Sequence, residues 1–289
     1  MILIADGGST KTHWCLVDGA DKVYDFYSEG YNPFFVDEEY INTSLTKALP
    51  ANIRRELIEK VYFYGAGVHD NGKSLLLKSA FKQVFCDSEI VVKHDLLAAC
   101  RALLGTTSGF AAILGTGTNT CIYNGTEIIH HIDSAAYILG DEGSGCAIGK
   151  KLLLDYIRGV LPPAIKKDFE DSYNLSEKDV LNRIYTQPLA NRFCASFSEF
   201  VFKHISDKHL HNLVSSSFDQ FFTQLVCLYP YYRNYELNAV GSVAFYFRDI
   251  LKLSAENHEM KIGKIIKSPI NELVNYHINL SVESRITNL

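Results

Sequence analysis

The chain has 289 residues, of which 47% are hydrophobic and 21% are charged, and it contains only seven prolines. This composition is typical of a packed globular protein of roughly two domains, and it excludes disordered, collagen-like and mucin-like chains. A net charge of −5 leaves no excess of positive charge for general nucleic-acid binding. The seven cysteines include no C-x-x-C pair, which argues against a disulfide framework or a zinc site. Since no apolar run approaches the roughly 18 residues of a membrane span, we expect a cytoplasmic protein.

The first third of the chain alternates strand and helix patterns. An opening meander is predicted over 2–5, 12–17 and 23–27, with Asp18-Gly19 as a hairpin turn. The elements predicted next are helices over 38–49 and 52–59, a strand over 61–64, a helix over 74–84, a strand over 90–92 and a helix over 96–104. Such alternation favours an α/β fold.

The pattern starts again at Gly109. Residues 110–132 repeat the order of elements that is predicted over 2–27: a strand, a glycine turn, a strand, an Xaa-Gly turn and a strand. We interpret this as a degenerate internal duplication with domains at 1–105 and 106–289, although two meanders can also coincide by chance. The elements predicted after it are helices within 145–159 and 176–228, a strand over 235–240, and helices over 243–253 and 269–280, the last free to pack on either domain.

One segment satisfies a phosphate-binding pattern in full. Residues 67–74, GVHDNGKS, match G-x-x-x-x-G-K-[ST] and lie between a predicted strand and a predicted helix. A P-loop NTPase would use Lys73 on the phosphates and Asp95 on magnesium. We favour an ordinary strand-to-helix turn, because the match follows a whole meander and leaves the other glycine turns unexplained.

Two other glycine turns carry hydroxyl residues. The first glycine turn is part of DGGSTKT at 6–12, and the second glycine turn is GTGTN at 115–119. Backbone N–H groups and hydroxyls in such turns can hold an anion, and Asp6 at the strand end is suited to a hydrated Mg²⁺. The alternative for the first turn is a hairpin with a capping aspartate.

Two acidic positions follow predicted strands or turns. Asp95 opens a predicted helix directly after a strand, where the ligand-binding groups of α/β sheets collect, but an aspartate there can equally be a helix N-cap. Asp141 and Glu142 form an acidic turn before a helix, which in isolation is more typical of a cap.

In chain order these motifs resemble the N-acetylglucosamine kinase branch of the superfamily of sugar kinases, heat-shock ATPases and actin, including the BadF/BadG-type ATPases. The resemblance spans nearly the whole chain and rests on DGGSTKT at 6–12, Asp95, GTGTN at 115–119, GDEGS at 140–144 and Gly241-Ser242. It implies an α/β fold of two ribonuclease-H-like (actin-like ATPase) lobes, with ATP and sugar in a cleft between them.

The resemblance also implies an ATP- and Mg²⁺-dependent kinase that phosphorylates a hydroxyl of an amino sugar, N-acetylglucosamine or a related hexose. Asp95 would be the general base, beside the Mg²⁺ ligand that the strand end already suggests at Asp6. The implied nucleotide-binding residues are Gly7, Gly8, Ser9, Thr10, Gly115, Thr116, Gly117, Gly241 and Ser242. The implied sugar-binding residues are Asn32, Asp95, Thr118, Asn119 and Asp141. We expect a small-molecule sugar partner, no nucleic acid and no membrane, with a homodimer left open.

One stretch departs from the family pattern. The family usually has glycines directly before the Gly-Asp-Glu-Gly-Ser motif, whereas this chain has Ser134-Ala135-Ala136-Tyr137. Side chains, including the bulky Tyr137, replace bare backbone there, which leaves the acceptor sugar open. A non-enzymatic sugar or nucleotide sensor of the same superfamily is therefore an alternative function, beside the P-loop NTPase.

Overall fold

The computed structural model describes residues 1–8, 11–19, 21–68 and 71–287, without the side chains of Asn71 and of 281–287. The chain forms two compact units. Unit 1 comprises Met1–Thr106 together with the C-terminal segment that starts at Ser268, and unit 2 comprises Thr107–Lys267. The sequence predicts a division at 105/106 with the last helix free to pack on either domain, and in the structure this C-terminal segment belongs to unit 1. No helix in the described part of the chain is long and apolar enough to cross a membrane.

Unit 1 is built on a mixed sheet in the order β3-β2-β1-β4-β5. Its strands are β1 (Ile2–Gly7), β2 (Lys11–Asp18), β3 (Asp21–Glu29), β4 (Lys60–Gly65) and β5 (Glu89–His94). Its helices are α1 (Glu38–Ala48), α2 (Asn71–Val84), α3 (Asp95–Leu104) and the last helix of the chain, α13 (Ile270–Thr287). The first strand is antiparallel to β2 and parallel to β4, so a meander continues into two parallel crossovers.

The register of this sheet brings three strand ends side by side. Gly7 at the end of β1 pairs with Gly65 of β4, which in turn pairs with His94 of β5. A Cβ atom at Gly7 or at Gly65 would lie 2.4 Å from the ring of Phe63, so a side chain at either position would collide with the core. Asp6 and the start of α3 are therefore held at the same edge of the sheet.

Aromatic packing fixes α2 on this sheet. Phe81 of α2 meets the indole of Trp14 edge-on at 5.7 Å and the ring of Phe63 at 4.7 Å, measured between ring centroids. All three side chains are fully buried. Aromatic pairs at these separations stabilise a core beyond the area they bury. The sheet whose strand ends carry the candidate site is thus packed against α2 through a buried aromatic cluster.

Unit 2 repeats the topology of unit 1, with the sheet order β10-β9-β6-β7-β8. Its strands are β6 (Gly109–Leu114), β7 (Thr118–Tyr123), β8 (Ile128–His131), β9 (Glu236–Val240) and β10 (Lys261–Ile266). The first strand, β6, is antiparallel to β7 and parallel to β9, as β1 is to its neighbours. Each unit is a ribonuclease-H-like fold, and their common topology supports the duplication.

The helices of unit 2 lie between β8 and β10 in the chain. They are α4 (Ala136–Leu139), α5 (Gly145–Ile157), α6 (Pro163–Tyr173), α7 (Glu177–Thr186), α8 (Ala190–Ser196), α9 (Ser198–Lys203), α10 (Lys208–Gln224), α11 (Ser242–Tyr246) and α12 (Arg248–Asn257). A large aromatic and aliphatic core joins the helices from α5 to α12 to the sheet.

Three local expectations are wrong. The segment 52–59 forms only a 3₁₀ turn at Arg55–Leu57 instead of a helix. Helix α6 lies between the predicted helical segments 145–159 and 176–228, and it begins at Pro163, because proline is well tolerated at the first position of a helix. Strand β10 was missed because Gly263 interrupts its pattern, and its pairing with β9 is irregular at that point.

Candidate active site

Two carboxylates lie at neighbouring strand ends in unit 1. Asp6 is half-buried near the end of β1, and Asp95 is the first residue of α3 after β5. Burial of the Asp6 side chain and the negative charge of Asp95 raise the pKa of Asp6 to about 7. Two carboxylates this close can hold one proton between them, or they can be stabilised by a cation. The structure therefore brings together the predicted metal ligand and the predicted base.

The N-cap of α3 is His94, so the capping interpretation of Asp95 is wrong. The Nδ1 atom of His94 accepts the backbone N–H of Leu96 at 3.0 Å. This nitrogen also lies 3.0 Å from Oδ1 of Asp95, but its lone pair is already used, so it has no proton to donate there. Oδ1 of Asp95 is buried and receives no hydrogen bond from the described residues. Asp95 thus carries an oxygen that can accept a proton from a ligand.

Asn32, a predicted sugar ligand, shapes a turn in unit 1. Its buried side chain accepts the backbone N–H of Phe34 at 3.0 Å, and its carbonyl oxygen accepts that of Phe35 at 2.9 Å. The same side-chain oxygen would lie 2.5 Å from a Cβ atom at Gly67, which has a φ of +79°. Asn32 therefore packs against the connection from β4 to α2, and glycine is needed at position 67.

This connection includes the P-loop match at 67–74. His69 and Asp70 lie outside the described residues, as do Ser9 and Thr10 of the first glycine turn. Helix α2 begins at Asn71, and the ammonium group of Lys73 lies over the ring of Phe34. In this structure the Lys73 side chain is thus placed on an aromatic ring of the turn that Asn32 shapes.

The second glycine turn, in unit 2, is held by the start of α5. The N–H of Gly115 donates to the carbonyl of Gly117 at 3.0 Å, which closes the turn. The first backbone N–H groups of α5, from Gly145 and Cys146, donate to the carbonyls of Gly115 and Thr116 at 2.8 and 3.1 Å. The helix terminus therefore fixes one conformation of the turn.

Gly241 and Ser242 lie against the same turn. Gly241 has a φ of +131°, and a Cβ atom there would lie 2.2 Å from the carbonyl oxygen of Leu114 and 3.2 Å from the nitrogen of Gly115. Ser242 is the first residue of α11. The structure thus brings together the predicted nucleotide-binding residues of unit 2.

Thr118 and Asp141 lie next to this turn, but Asn119 points elsewhere. The N–H of Thr118 donates to Oδ1 of Asp141 at 3.0 Å, and its hydroxyl donates to the carbonyl of Glu142 at 2.7 Å. Neighbouring residues of a strand point to opposite faces of the sheet. The side-chain oxygen of Asn119 accordingly bonds to Nε2 of His131 at 2.9 Å, away from Asp141.

Comparisons with known proteins identify the family. No family model matches the chain, and no curated protein matches it either. Among solved structures, it is similar to a provisionally named N-acetylglucosamine kinase from Porphyromonas gingivalis, with 38% sequence identity and a TM-score of 0.91. The alignment covers 96% of this chain and 99% of that one. The chain belongs to the N-acetylglucosamine kinase-like family of the actin-like ATPase superfamily.

Two more distant structures share the fold of this family. A provisionally named N-acetylglucosamine kinase from Chromobacterium violaceum aligns with a TM-score of 0.68 and 16% identity over 96% of this chain and 99% of that chain. A ROK-family glucokinase from Streptomyces griseus, in complex with glucose and AMPPNP, aligns with a TM-score of 0.58 and 15% identity over 95% and 97% of the two chains. The predicted fold of two ribonuclease-H-like lobes is confirmed.

The stretch that departs from the family pattern keeps a glycine-like backbone. Ala135 and Ala136 have φ angles of 57° and 54°, in the left-handed region that favours glycine. Tyr137 packs against the core of unit 2. Its ring is therefore not the bulky exposed group that the sequence suggested. The exposed side chains are those of Ile138 and Leu139, which are 74% and 82% accessible.

Two residues of the site were not predicted. His94 directly precedes Asp95, but a histidine is an uncommon helix cap, and no local pattern favours it over the aspartate. Ser134 donates its hydroxyl to Oδ1 of Asp141 at 3.1 Å. Its only signal in the sequence was its place in the stretch that departs from the family.

Proposed function

We propose that the protein is an ATP-dependent kinase that transfers the γ-phosphate to a hydroxyl of an amino sugar, N-acetylglucosamine or a related hexose. The observation that carries this proposal is the 38% identity, over nearly the whole of both chains, with a provisionally named N-acetylglucosamine kinase. Phosphoryl transfer depends on positioning and charge stabilisation more than on covalent catalysis. The chemistry therefore has to come from groups that hold a phosphate, a hydroxyl and a proton.

Asp95 is the proposed general base. Its buried Oδ1 receives no hydrogen bond from the described residues and is thus able to accept the proton of the attacking hydroxyl. Its position in the first turn of α3 places the carboxylate at the positive end of the helix dipole, which stabilises the charged form. A positioned base of this kind typically contributes about 10²- to 10⁴-fold to the rate.

Asp6 is the proposed ligand of a hydrated Mg²⁺. Its half-buried carboxylate, with a pKa raised to about 7 by burial and by Asp95, is a group whose charged form a divalent cation would stabilise. Mg²⁺ prefers oxygen ligands and usually keeps several waters beside one or two carboxylates. When bound, the ion supplies positive charge that offsets the charge of the ATP phosphates.

Glycine backbones are proposed to bind the nucleotide. Gly7, Gly8, Ser9 and Thr10 would bind phosphate, as would Gly115, Thr116 and Gly117 of the second glycine turn in unit 2. Gly7 and Gly241 have no room for a Cβ atom, which is typical of backbone that must approach a neighbour closely. Gly241 and Ser242 would contact the adenosine. The proposed sugar ligands besides Asp95 are Asn32, Thr118 and Asp141, and Asn119 is left out because its side chain bonds to His131 on the other face of β7.

The direct test is ATP consumption with Mg²⁺ against a panel of hexoses, amino sugars and N-acetylated sugars. We expect turnover that depends on one of these sugars, with a sugar phosphate as the product. Binding of ATP and of a sugar without turnover across the whole panel would overturn the kinase proposal and favour a sensor. Because ATP is the proposed donor, we also propose a cytoplasmic location, and light scattering would test for a homodimer.

A further inference from the structure

The two oxygens of the Asp141 carboxylate have different surroundings. Oδ1 accepts hydrogen bonds from the N–H of Thr118 at 3.0 Å and from the hydroxyl of Ser134 at 3.1 Å. Both oxygens lie beside Gly117, with Oδ2 at 2.9 Å and Oδ1 at 3.2 Å from the position that a Cβ atom would occupy there. Both donors from the described residues therefore reach Oδ1, and neither of them reaches Oδ2.

The backbone of Ser134 is fixed independently of its hydroxyl. Its carbonyl oxygen accepts the N–H of Asp141 at 2.9 Å, which joins the two ends of the segment 134–141. A Cβ atom at Gly140 would lie only 2.0 Å from the same carbonyl oxygen, so the loop is tightly closed. The hydroxyl of Ser134 is thus held next to Asp141 by the protein itself, and no ligand is needed to order it.

This hydroxyl offsets part of the cost of burying a charge. Asp141 is only 8% exposed, and burial raises the pKa of its carboxyl group. The hydrogen bonds from Thr118 and Ser134 act in the opposite direction and lower this pKa, because they stabilise the ionised form. Hydrogen bonds to an ionised group are stronger than those between neutral groups. Ser134 therefore both orients the carboxylate and favours its charged state.

We propose that Ser134 is a positioning residue for the acceptor: by engaging Oδ1 it orients Asp141 so that Oδ2 accepts a hydrogen bond from a sugar hydroxyl. This inference rests on the proposed kinase function and on the proposed role of Asp141 in sugar binding. Ser134 contacts Asp141 and not the reacting atoms, so it sets the affinity for the acceptor and leaves phosphoryl transfer itself unchanged. The stretch where the family usually has glycines thus carries a side chain with a function.

The test compares hydroxyl-deleting and hydroxyl-keeping variants. In Ser134→Ala we expect the KM for the sugar to rise roughly five- to tenfold, the size expected for the net contribution of one typical hydrogen bond. The kcat and the KM for ATP should stay within about twofold of their original values. Ser134→Thr keeps the hydroxyl and should restore the KM for the sugar. Ser134→Gly is a second deletion, which keeps the test decisive if the alanine variant does not fold.

Ser196→Ala is the matched control for removal of a hydroxyl in unit 2. Ser196 is exposed, and its hydroxyl donates to the carbonyl of Phe193 at 2.7 Å within α8. We expect this variant to keep the original KM for the sugar. An equal rise of KM in Ser196→Ala and Ser134→Ala would mean a general loss of packing in unit 2 and would overturn the proposal.

A pH profile separates positioning from a merely structural role. The charged groups that act on Asp141 are Asp133, which raises its pKa, and Lys150, which lowers it, and the Cys146 thiol is also close. Loss of the Ser134 hydroxyl removes one hydrogen bond that lowers the pKa of Asp141, while Asp133, Lys150 and Cys146 stay in place. The acid limb of kcat/KM for the sugar should therefore move to higher pH in Ser134→Ala. A change in thermal stability with no movement of this limb would contradict the proposed role.

Calorimetric titration with the sugar distinguishes failure of this inference from failure of the proposed function. Weaker sugar binding in Ser134→Ala than in the unaltered protein supports the positioning role, whether or not phosphate is transferred. If the unaltered protein is active and Ser134→Ala has the same sugar affinity and KM, the positioning role is overturned and the kinase function stands. If the unaltered protein neither binds nor phosphorylates any sugar, both are overturned.

Discussion

The carboxylates of Asp6 and Asp95, far apart in the sequence, are close enough that the charge on Asp95 helps to raise the pKa of Asp6 to about 7. Their proximity follows from the register of unit 1, in which the ends of β1, β4 and β5 are aligned. Burying one carboxylate beside another reduces stability unless a proton or a cation is present. The pair is therefore a feature that a structural role alone does not explain.

The raised pKa of Asp6 predicts a stability that depends on pH. Between its ordinary value of 3.8 and about 7, the folded protein holds a proton that the unfolded chain releases. Through Asp6, the free energy of unfolding should fall as the pH rises across this window. Asp6→Asn should remove this contribution and be more stable than the unaltered protein above pH 7. Urea unfolding of both proteins from pH 4 to 8 measures the difference.

Mg²⁺ gives an independent control for this interpretation. At pH 8 we expect Mg²⁺ to raise the unfolding midpoint of the unaltered protein, because a ligand that binds only the folded state stabilises it. The midpoint of Asp6→Asn should not respond. An equal response of both proteins would show that Asp6 does not hold the ion.

His277 should make the folded protein less stable as the pH falls, which is opposite to the effect of Asp6. Its ring is buried, Nε2 lies 2.9 Å from the hydroxyl of Tyr64, and burial together with the charges of Arg101 and Lys60 lowers its pKa from 6.5 to about 3. Between these values the unfolded chain binds a proton that the folded protein does not bind, so stability is lost as the pH falls. The expected loss is on the order of a few kcal/mol.

His277→Gln tests this prediction, since glutamine can still bond to Tyr64 but does not titrate. The variant should lose less stability than the unaltered protein between pH 6.5 and 4 in the same urea experiment. Parallel curves for the two proteins across this range would contradict the assignment of the acid sensitivity to His277.

Two alanines with left-handed backbone angles should make the protein more stable when they are replaced with glycine. Ala135 and Ala136 have φ angles of 57° and 54°, and an alanine in this region is strained. Replacing either with glycine should raise the free energy of unfolding by about 1 kcal/mol, after the greater flexibility of glycine in the unfolded chain is allowed for. Ala164→Gly, at an exposed position in α6, is the control and should lower stability. Thermal unfolding that shows the same sign at all three positions would contradict the prediction.

Much of the fold was predictable from the sequence because the signals are local. The glycine turns at 6–12 and 115–119 and the alternation of strands with helices reveal two similar halves. Strand β10 was hidden because its irregular section depends on a distant residue: the side-chain oxygen of Asn238 accepts the N–H of Lys264 at 2.8 Å. No pattern within 261–266 indicates that contact.

The sequence was enough to predict which loops form the candidate site. It was not enough to predict which way the side chains in those loops point. The sequence predicted a strand from 120 onwards, whereas β7 already begins at Thr118. Within that strand, the alternation of faces separates the side chain of Asn119 from that of Thr118. The choice between Asp95 and His94 as the cap of α3 likewise depends on side-chain geometry, which residue type and spacing do not determine.

The role of Asp95 is the central claim, and Asp95→Asn in the sugar-dependent ATPase assay tests it most directly. We expect the variant to bind ATP as before, measured by calorimetry, while turnover falls about 10²- to 10⁴-fold. Lys73→Ala should keep both binding and turnover, because Lys73 contacts Phe34 and belongs to no part of the proposed mechanism. Full turnover in Asp95→Asn, or loss of ATP binding in Lys73→Ala, would contradict the account.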